Sequence, residues 1–393
     1  MRIGIDCRTI LNPEKGEGAG VGHYTYQLVR HLLKIDKKNI YFLFFDRLVQ
    51  KKRLTKFRQK NVLIRFFPFN QYKKLIPADY MHFLVNAVIS REELDVFHSP
   101  NLVMPSIYKG PGVVTVHDLS FYKFPETIPL QESRSLKKII PNILKEADKI
   151  IAVSKATAKD LEEIFNLPRK KIKVIYHGLD QRFFRKRGLA EIKKIKKKYK
   201  ISNNYLLFLG TFEPRKNIIR LIEAYERFRN GLIHSSISQK KDFFSKYQLV
   251  LAGAEGKNSK KIKEKIFKSR YRKDIILPGY IAADDLGRLF SGADLFVFSS
   301  LYEGFGLPII EAMAKRVPVI TSNVSSMPEV SQDAALLIDP YDVAQIAQAI
   351  YDVLTDKRLN KKLRDRGLKR AKNFKWEKCA KETLSIYKQL SKG

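Results

Sequence analysis

The chain predicts an α/β fold built as two doubly wound domains. Three observations carry that expectation. At 393 residues it is long enough for two cores. Short apolar runs alternate with amphipathic ones, the βαβ rhythm of a mostly parallel sheet. The rhythm lapses in a basic, weakly periodic stretch and then begins again. The expected division is residues 1–182 with the tail 374–393, a linker at 183–204, and a second domain at 205–373.

In the first half, strands are expected at Arg2–Asp6, Tyr41–Phe45, Val62–Phe66, Val96–His98, Gly112–Val116, Lys149–Val153 and Ile172–Ile175. A helix over His23–Leu33 follows from Tyr24, Leu28 and Leu32 at helical spacing. Ile128–Ala147 reads as a helix with a kink at Pro141, and Ser154 caps another that runs to about Phe165. The second series has strands at Tyr205–Leu209, Gln248–Ala252, Ile275–Leu277, Leu295–Phe298, Val319–Ile320 and Leu336–Ile338. Its helices fall at Asn217–Phe228, Ser259–Ser269, Asp284–Ser291, Pro308–Lys315 and Val343–Leu354. From Arg358 to Leu390 the tail reads as helical, with a break near Asn373.

Composition narrows the class. Hydrophobic residues at 44% and aromatics at 11% argue against disorder. Apolar runs are too short for a membrane span, and MRIGIDCRTI enters a strand directly, so no signal peptide is expected. Cys7 and Cys379 stand far apart without CxxC spacing, which suits a reducing cytoplasm. Lys and Arg number 75 against 40 Asp and Glu, a formal charge of +35, clustered at Arg47–Lys60, Arg169–Lys173, Arg182–Lys200 and Glu255–Lys273. Nucleic acid could draw such patches, but zinc-finger spacing, an RNP motif and a basic zipper are all missing. Peripheral docking on the inner face of an anionic membrane and a lineage-wide lysine bias both account for the excess.

The most informative stretch is LYEGFGLPIIEAMAK, Leu301 to Lys315. A strand, a glycine turn and a helix with Pro308 in its first turn offer backbone N–H groups and a positive dipole end to a phosphate. Glu303 precedes the turn and Glu311 lies in the first helical turn, eight positions later. A carboxylate there can accept hydrogen bonds from sugar or ribose hydroxyls, or it can serve only as a dipole partner. The phrase resembles the Glu-x7-Glu motif of the retaining GT-B glycosyltransferases, the group 1 family typified by lipopolysaccharide, mannosyl and sucrose-phosphate transferases. That resemblance implies two Rossmann-like domains facing a cleft, with a C-terminal helix that crosses back near Phe374-Lys375-Trp376-Glu377.

Further stretches fit it in order. Gly16, Gly18, Gly20 and Gly22 do not space as G-x-G-x-x-G and read either as a flexible loop or as a phosphate- or sugar-facing one. Gly20, Val21 and Gly22 resemble the family's N-terminal donor loop. His117-Asp118 ends a strand, where a polar pair is either structural or placed for cleft chemistry; VTVHDLSFYKFPE is similar to a segment of bacterial mannosyltransferases. His98 and Asn101 resemble an acceptor-side loop, as do Asp118 and Ser154, although Ser154 is also a good helix cap. Gly210 opens the run GTFEPRKN, in which Arg215 and Lys216 are either solvated surface or the cations of a diphosphate site. Tyr176-His177-Gly178 departs from the Pro-Asn-Gly or Tyr-Asn-Gly of relatives.

The resemblance implies roles. Glu303 holds donor-sugar hydroxyls, Glu311 the ribose, Arg215 and Lys216 the diphosphate, and His117 the sugar or acceptor. Gly304, Phe305, Gly306 and Leu307 supply amides. No protein nucleophile is implied. No Asp-x-Asp signature or metal-ligand cluster stands out, so no cofactor or metal is expected, and activity should survive EDTA. The expected reaction moves a hexose, mannose from GDP-mannose or else a sugar from a UDP donor, to a saccharide or lipid-linked saccharide. A non-catalytic binder that kept the cleft is the rival from another class.

Overall fold

A computed structural model describes residues 1–11, 20–67, 78–102, 104–105, 107–232 and 241–391. Gly16 and Gly18 lie outside the described residues. The strands and helices through the first half are β1 (Arg2–Asp6), α1 (Gly20–Ile35), β2 (Ile40–Phe45), β3 (Val62–Phe66), α2 (Ala78–Ile89), β4 (Val96–Ser99) and β5 (Gly112–Val116). They continue with α3 (Ser120–Lys123), α4 (Leu130–Glu146), β6 (Lys149–Ala152), α5 (Lys155–Phe165) and β7 (Ile172–Val174). Then follow α6 (Leu189–Lys198), β8 (Asn204–Leu209), α7 (Ile218–Arg229), α8 (Lys241–Ser245), β9 (Tyr247–Ala252), α9 (Ser259–Lys268) and β10 (Ile275–Gly279). The chain goes on through α10 (Ala283–Gly292), β11 (Leu295–Phe298), α11 (Leu307–Ala314), β12 (Val319–Ser322), α12 (Met327–Ser331) and β13 (Leu336–Ile338). It closes with α13 (Val343–Thr355), α14 (Lys357–Ala371) and α15 (Trp376–Leu390).

Two compact units result: Met1–Leu119, Gln131–Gly178 and Lys375–Gly393 form one, Ser120–Leu130 and Leu179–Phe374 the other. The first holds a seven-stranded sheet in the order β3-β2-β1-β4-β5-β6-β7, the second a six-stranded sheet in the order β10-β9-β8-β11-β12-β13. All of the pairings are parallel. Such strands are covered on both faces, which is why they read as unbroken apolar runs: Tyr41 to Phe45 and Leu295 to Phe298 are fully buried. Each order reverses direction once, between β1 and β4 and between β8 and β11, and ligands of open α/β sheets bind beyond the carboxyl ends at such switch points.

The tail does rejoin the first unit. Trp376, Cys379, Ala380, Leu384, Ile386 and Tyr387 of α15 share one core with Ile3 and Ile5 of β1 and Tyr24, Leu28 and Leu32 of α1. Among the described residues, no helix is long and apolar enough to cross a membrane.

Some local expectations change. α1 starts at Gly20 rather than His23, so Gly20 and Gly22 are helical residues, Gly20 with φ +68°. Only a residue without Cβ takes that conformation freely. α4 starts at Leu130 rather than Ile128 and holds Pro141 within it. The lost hydrogen bond is offset by burial of Ile140, Ile143 and Leu144 on the same side. The stretch expected to link the domains holds α6, whose Ile195 is buried and whose Glu191 pairs with Arg187 and Arg288. α2 has no counterpart in the expectations, because the charge and apolar pattern before it gives no start signal.

Candidate active site

β8 and β11 are neighbours in register, Leu206 beside Leu295 and Leu207 beside Phe296. Their carboxyl ends therefore emerge side by side at the second switch point. From β8 the chain turns through Gly210 to Pro214–Lys216, a single 3-10 turn; from β11 it runs through Ser299 to Glu303. Leu301 N–H donates to the Arg215 carbonyl at 2.7 Å and ties the two loops together. Asn217, in the left-handed region at φ +58°, donates its amide to the carbonyls of Ser299 (3.0 Å) and Pro340 (2.6 Å). A Cβ on Gly210 would stand 3.2 Å from Phe208 Cζ, tighter than ordinary contact, and 3.6 Å from Lys216 Cε, at ordinary contact distance.

This arrangement brings three of the expected residues into one cluster. Lys216 Nζ lies 2.5 Å from Glu303 Oε1, and Arg215 Nη1 lies 3.0 Å from Glu303 Oε2. Arg215 also pairs through Nε with Glu213 and donates through Nη1 to the Tyr302 carbonyl. Lys216 sits 5.4 Å above the Phe298 ring. Glu303 and Lys216 are both buried. Burial alone would raise the Glu303 carboxyl, but the charges of Lys216 and Arg215 hold it below the usual range. Burial lowers the Lys216 ammonium, with Glu303 acting against that and Arg215 adding to it. With Glu213 the cluster is two cations and two carboxylates, in which Glu303 bridges both cations.

The backbone of Glu303 is fixed from a different strand. Ser325 Oγ meets both the N–H (3.2 Å) and the carbonyl (2.7 Å) of Glu303, and Ser326 Oγ donates to the same carbonyl at 2.9 Å. These two serines, in the loop after β12, were missed from sequence. Their one signal was position, just past a strand's carboxyl end.

Gly306 enters α11 at φ +91°, which suits a residue without a side chain, and the helix starts at Leu307 with Pro308 second. Gly304 and Phe305 complete the turn between Glu303 and the helix. Glu311 lies one turn into α11, apart from the Glu303 cluster. Desolvation pushes its carboxyl up to about 7, with Arg182 opposing and Asp180 adding to the rise.

In the first unit His117 follows β5. Its Nε2 is 2.9 Å from the Pro100 carbonyl. A carbonyl only accepts, so Nε2 carries the proton and Nδ1 is the acceptor of the neutral ring. Burial depresses its pKa and favours that neutral form. The ring meets Tyr24 edge-on at 4.7 Å and His177 at 5.5 Å, and His177 stacks on Trp376 at 5.9 Å. Gly178 is dictated here: a Cβ on it would fall 2.1 Å from the Trp376 backbone nitrogen. The departure from the relatives' asparagine thus sits in an aromatic stack.

The other acceptor-side residues are placed differently. His98 is fully buried, with Nδ1 2.5 Å from Tyr387 Oη and Nε2 2.8 Å from Thr115 Oγ1, and burial carries its pKa down to about 3. Ser154 is fully buried as the cap of α5, accepting from the Thr157 N–H. Both positions are structural in this conformation. Asn101 accepts from Ser99 Oγ at 3.0 Å, and Asp118 is partly exposed beside His117.

Comparison with known proteins agrees with this geometry. Residues 191–370 match the model for glycosyl transferases group 1, and residues 18–183 match that for glycosyltransferase family 4. Over 387 residues the chain is 32% identical to O-antigen chain mannosyltransferase B of Escherichia coli, covering 96% of this chain and 98% of that protein. The chain belongs to the glycosyl transferases group 1. This group 1 enzyme is also 30% identical to the serotype-specific mannosyltransferase WbdA of Escherichia coli over 245 residues, 62% of this chain and 29% of WbdA. Sucrose-phosphate synthase of Thermosynechococcus elongatus superposes with a TM-score of 0.77 at 19% identity, covering 99% of this chain and 98% of that one. The shared fold is GT-B, two parallel sheets each flanked by helices.

Proposed function

We propose that this glycosyltransferase is a retaining mannosyltransferase that moves mannose from GDP-mannose to a hydroxyl of a saccharide or lipid-linked saccharide. The observation that carries the reading is the buried Lys216–Glu303–Arg215 cluster at the switch point of the second sheet. Mannose is favoured because both sequence relatives above are named as mannosyltransferases.

When a donor enters, its diphosphate competes with Glu303 for the two cations. Arg215 offers a fork and Lys216 a point charge to the phosphate oxygens. Glu303 turns to the sugar hydroxyls, which donate to it, and Glu311 accepts from the ribose. As the bond from the anomeric carbon to the phosphate oxygen breaks, negative charge grows on the leaving diphosphate. Arg215, Lys216 and the amides of the 304–307 turn stabilise that charge. The incoming hydroxyl forms the new bond on the same face and passes its proton to a phosphate oxygen, so no protein nucleophile is required. His117, neutral, accepts from a sugar hydroxyl through Nδ1. No metal enters the scheme.

A panel of GDP- and UDP-sugars, scored by thermal shift and slow donor hydrolysis in EDTA, tests it. Stabilisation and turnover with GDP-mannose, lost in Glu311→Ala, is the expected result. A response to UDP-sugars alone overturns the donor, and dependence on added metal overturns the charge scheme.

A further inference from the structure

The cations that serve the donor lie at the carboxyl end of the second sheet. A separate set gathers at the amino end of the same sheet. A cavity of about 690 Å³ opens there, beside Tyr247 at the start of β9, Asp294 just before β11 and Pro318 just before β12. Lys315 and Arg316, at the end of α11, and Lys357, Lys361 and Arg364, on α14, line it. We propose that this cavity is a second anion site, built for a ligand that carries phosphate groups with two or more negative charges.

The arrangement is costly without a ligand. Lys357, Lys361 and Arg364 stand at i, i+4 and i+7 on one helix face. Like charges so spaced repel by roughly a few tenths of a kcal/mol per pair. Neither Lys357 nor Lys361 has an ion-pair partner among the described residues, and both are exposed. The remaining cations are positioned from behind: Lys315 Nζ donates to the Arg185 carbonyl at 2.6 Å, Arg364 Nε donates to the Arg316 carbonyl at 2.9 Å, and Arg316 pairs with Asp365. Against five lining cations stands a single lining carboxylate, Asp294, which accepts from the Tyr205 N–H at 2.8 Å. Lys315 is pulled down to about 8 by burial, with Arg187 adding to the fall and Glu191 opposing it.

The α14 cations extend over about 10 Å of helix, at 1.5 Å per residue. A single carboxylate cannot reach them all, whereas a polyphosphate or a phosphoester with a second charge can. Ser291 and Asn360 add neutral polar groups at the rim. A cavity also borders α9, but there Glu255 and Glu264 stand among Lys260, Lys263 and Lys268, so its cations are largely balanced within the lining. The chemistry is the same for a soluble phosphoester and for the headgroup of an anionic lipid, and experiment separates the two.

The test uses the whole enzyme, with inorganic pyrophosphate as the probe, titrated by calorimetry near physiological salt with and without excess GDP. One saturable equivalent that GDP does not displace is expected. In Lys357→Glu/Lys361→Glu that equivalent should weaken at least tenfold. Both positions are exposed, and glutamate suits a first helical turn, so the fold is retained. Lys260→Glu/Lys261→Glu on α9, an equal charge change, should leave binding unaltered. Co-sedimentation with phosphatidylglycerol vesicles, against phosphatidylcholine alone, is the second arm. A deficit of the α14 variant on anionic vesicles identifies a lipid headgroup, and a deficit confined to pyrophosphate identifies a soluble phosphoester. Absence of saturable binding in both arms, or equal loss in the α9 control, overturns the site. Loss of sugar transfer is not a readout, so failure of the mannosyltransferase reading stays distinguishable.

Discussion

In the proposed scheme the Glu303 cluster performs two jobs at one place, and Glu303→Gln separates them. In the free enzyme the carboxylate holds Lys216 at 2.5 Å and Arg215 at 3.0 Å. A diphosphate must break those contacts before it can use the cations. Each charge-assisted hydrogen bond contributes about 1.5–3 kcal/mol. A glutamine oxygen still accepts, but as a neutral partner with roughly half that strength. Over the two contacts the variant should therefore release about 1.5–3 kcal/mol to an incoming diphosphate and tighten GDP roughly ten- to hundredfold. Transfer should move the other way. Sugar hydroxyls lose a charged acceptor where the transition state needs positioning, about 3 kcal/mol, or ~10²-fold in kcat/KM. Calorimetry with GDP and initial rates with the sugar donor measure the two. If GDP binding weakens in step with transfer, the role given to Glu303 is wrong, and its task is to hold the cations in place.

The remaining predictions are as follows. Glu311, raised to about 7 from 4.5, keeps a proton in the folded chain that the unfolded chain has released. Stability is thus lost as pH rises from 4.5 through 7, and Glu311→Gln should flatten that loss by about 1–3 kcal/mol in urea unfolding at pH 5 and pH 8. Ser326→Ala, which leaves Ser325 on the Glu303 carbonyl, should cost about 1 kcal/mol of stability and lower kcat/KM three- to tenfold; an unchanged rate would show that the loop needs one serine only. Gly178→Ala drives a methyl group onto the Trp376 backbone. It should destabilise the first unit by about 3 kcal/mol or more, with a shifted emission from Trp376, the sole tryptophan.

The strands were legible because parallel strands buried on both faces leave continuous apolar runs, as in Leu295–Phe298. Glu303 and Glu311 were legible because their spacing sits within one loop and one helical turn. What could not be read depends on partners distant in sequence. Glu303 meets Arg215 and Lys216 across 88 and 87 positions, and nothing local announces it. His98 looked like an acceptor-side group until Tyr387, 289 positions on, closed over it. Ser154 carried both readings, and the hydrogen bond it accepts from the Thr157 N–H, together with its burial, marks the cap. Gly20 and Gly22 looked like loop residues because glycine gives no helical signal.

The return of α15 sets the order in which this polypeptide can mature. The sheet of the first unit is completed by a helix that is made after the whole second unit. Until then Tyr24, Leu28 and Ile5 lack the cover of Trp376, Leu384 and Tyr387. The second unit, continuous from Leu179 to Phe374 apart from one short loan, can fold first and wait. A nascent chain stalled before residue 376 should therefore bind chaperones through its first unit, not through its second.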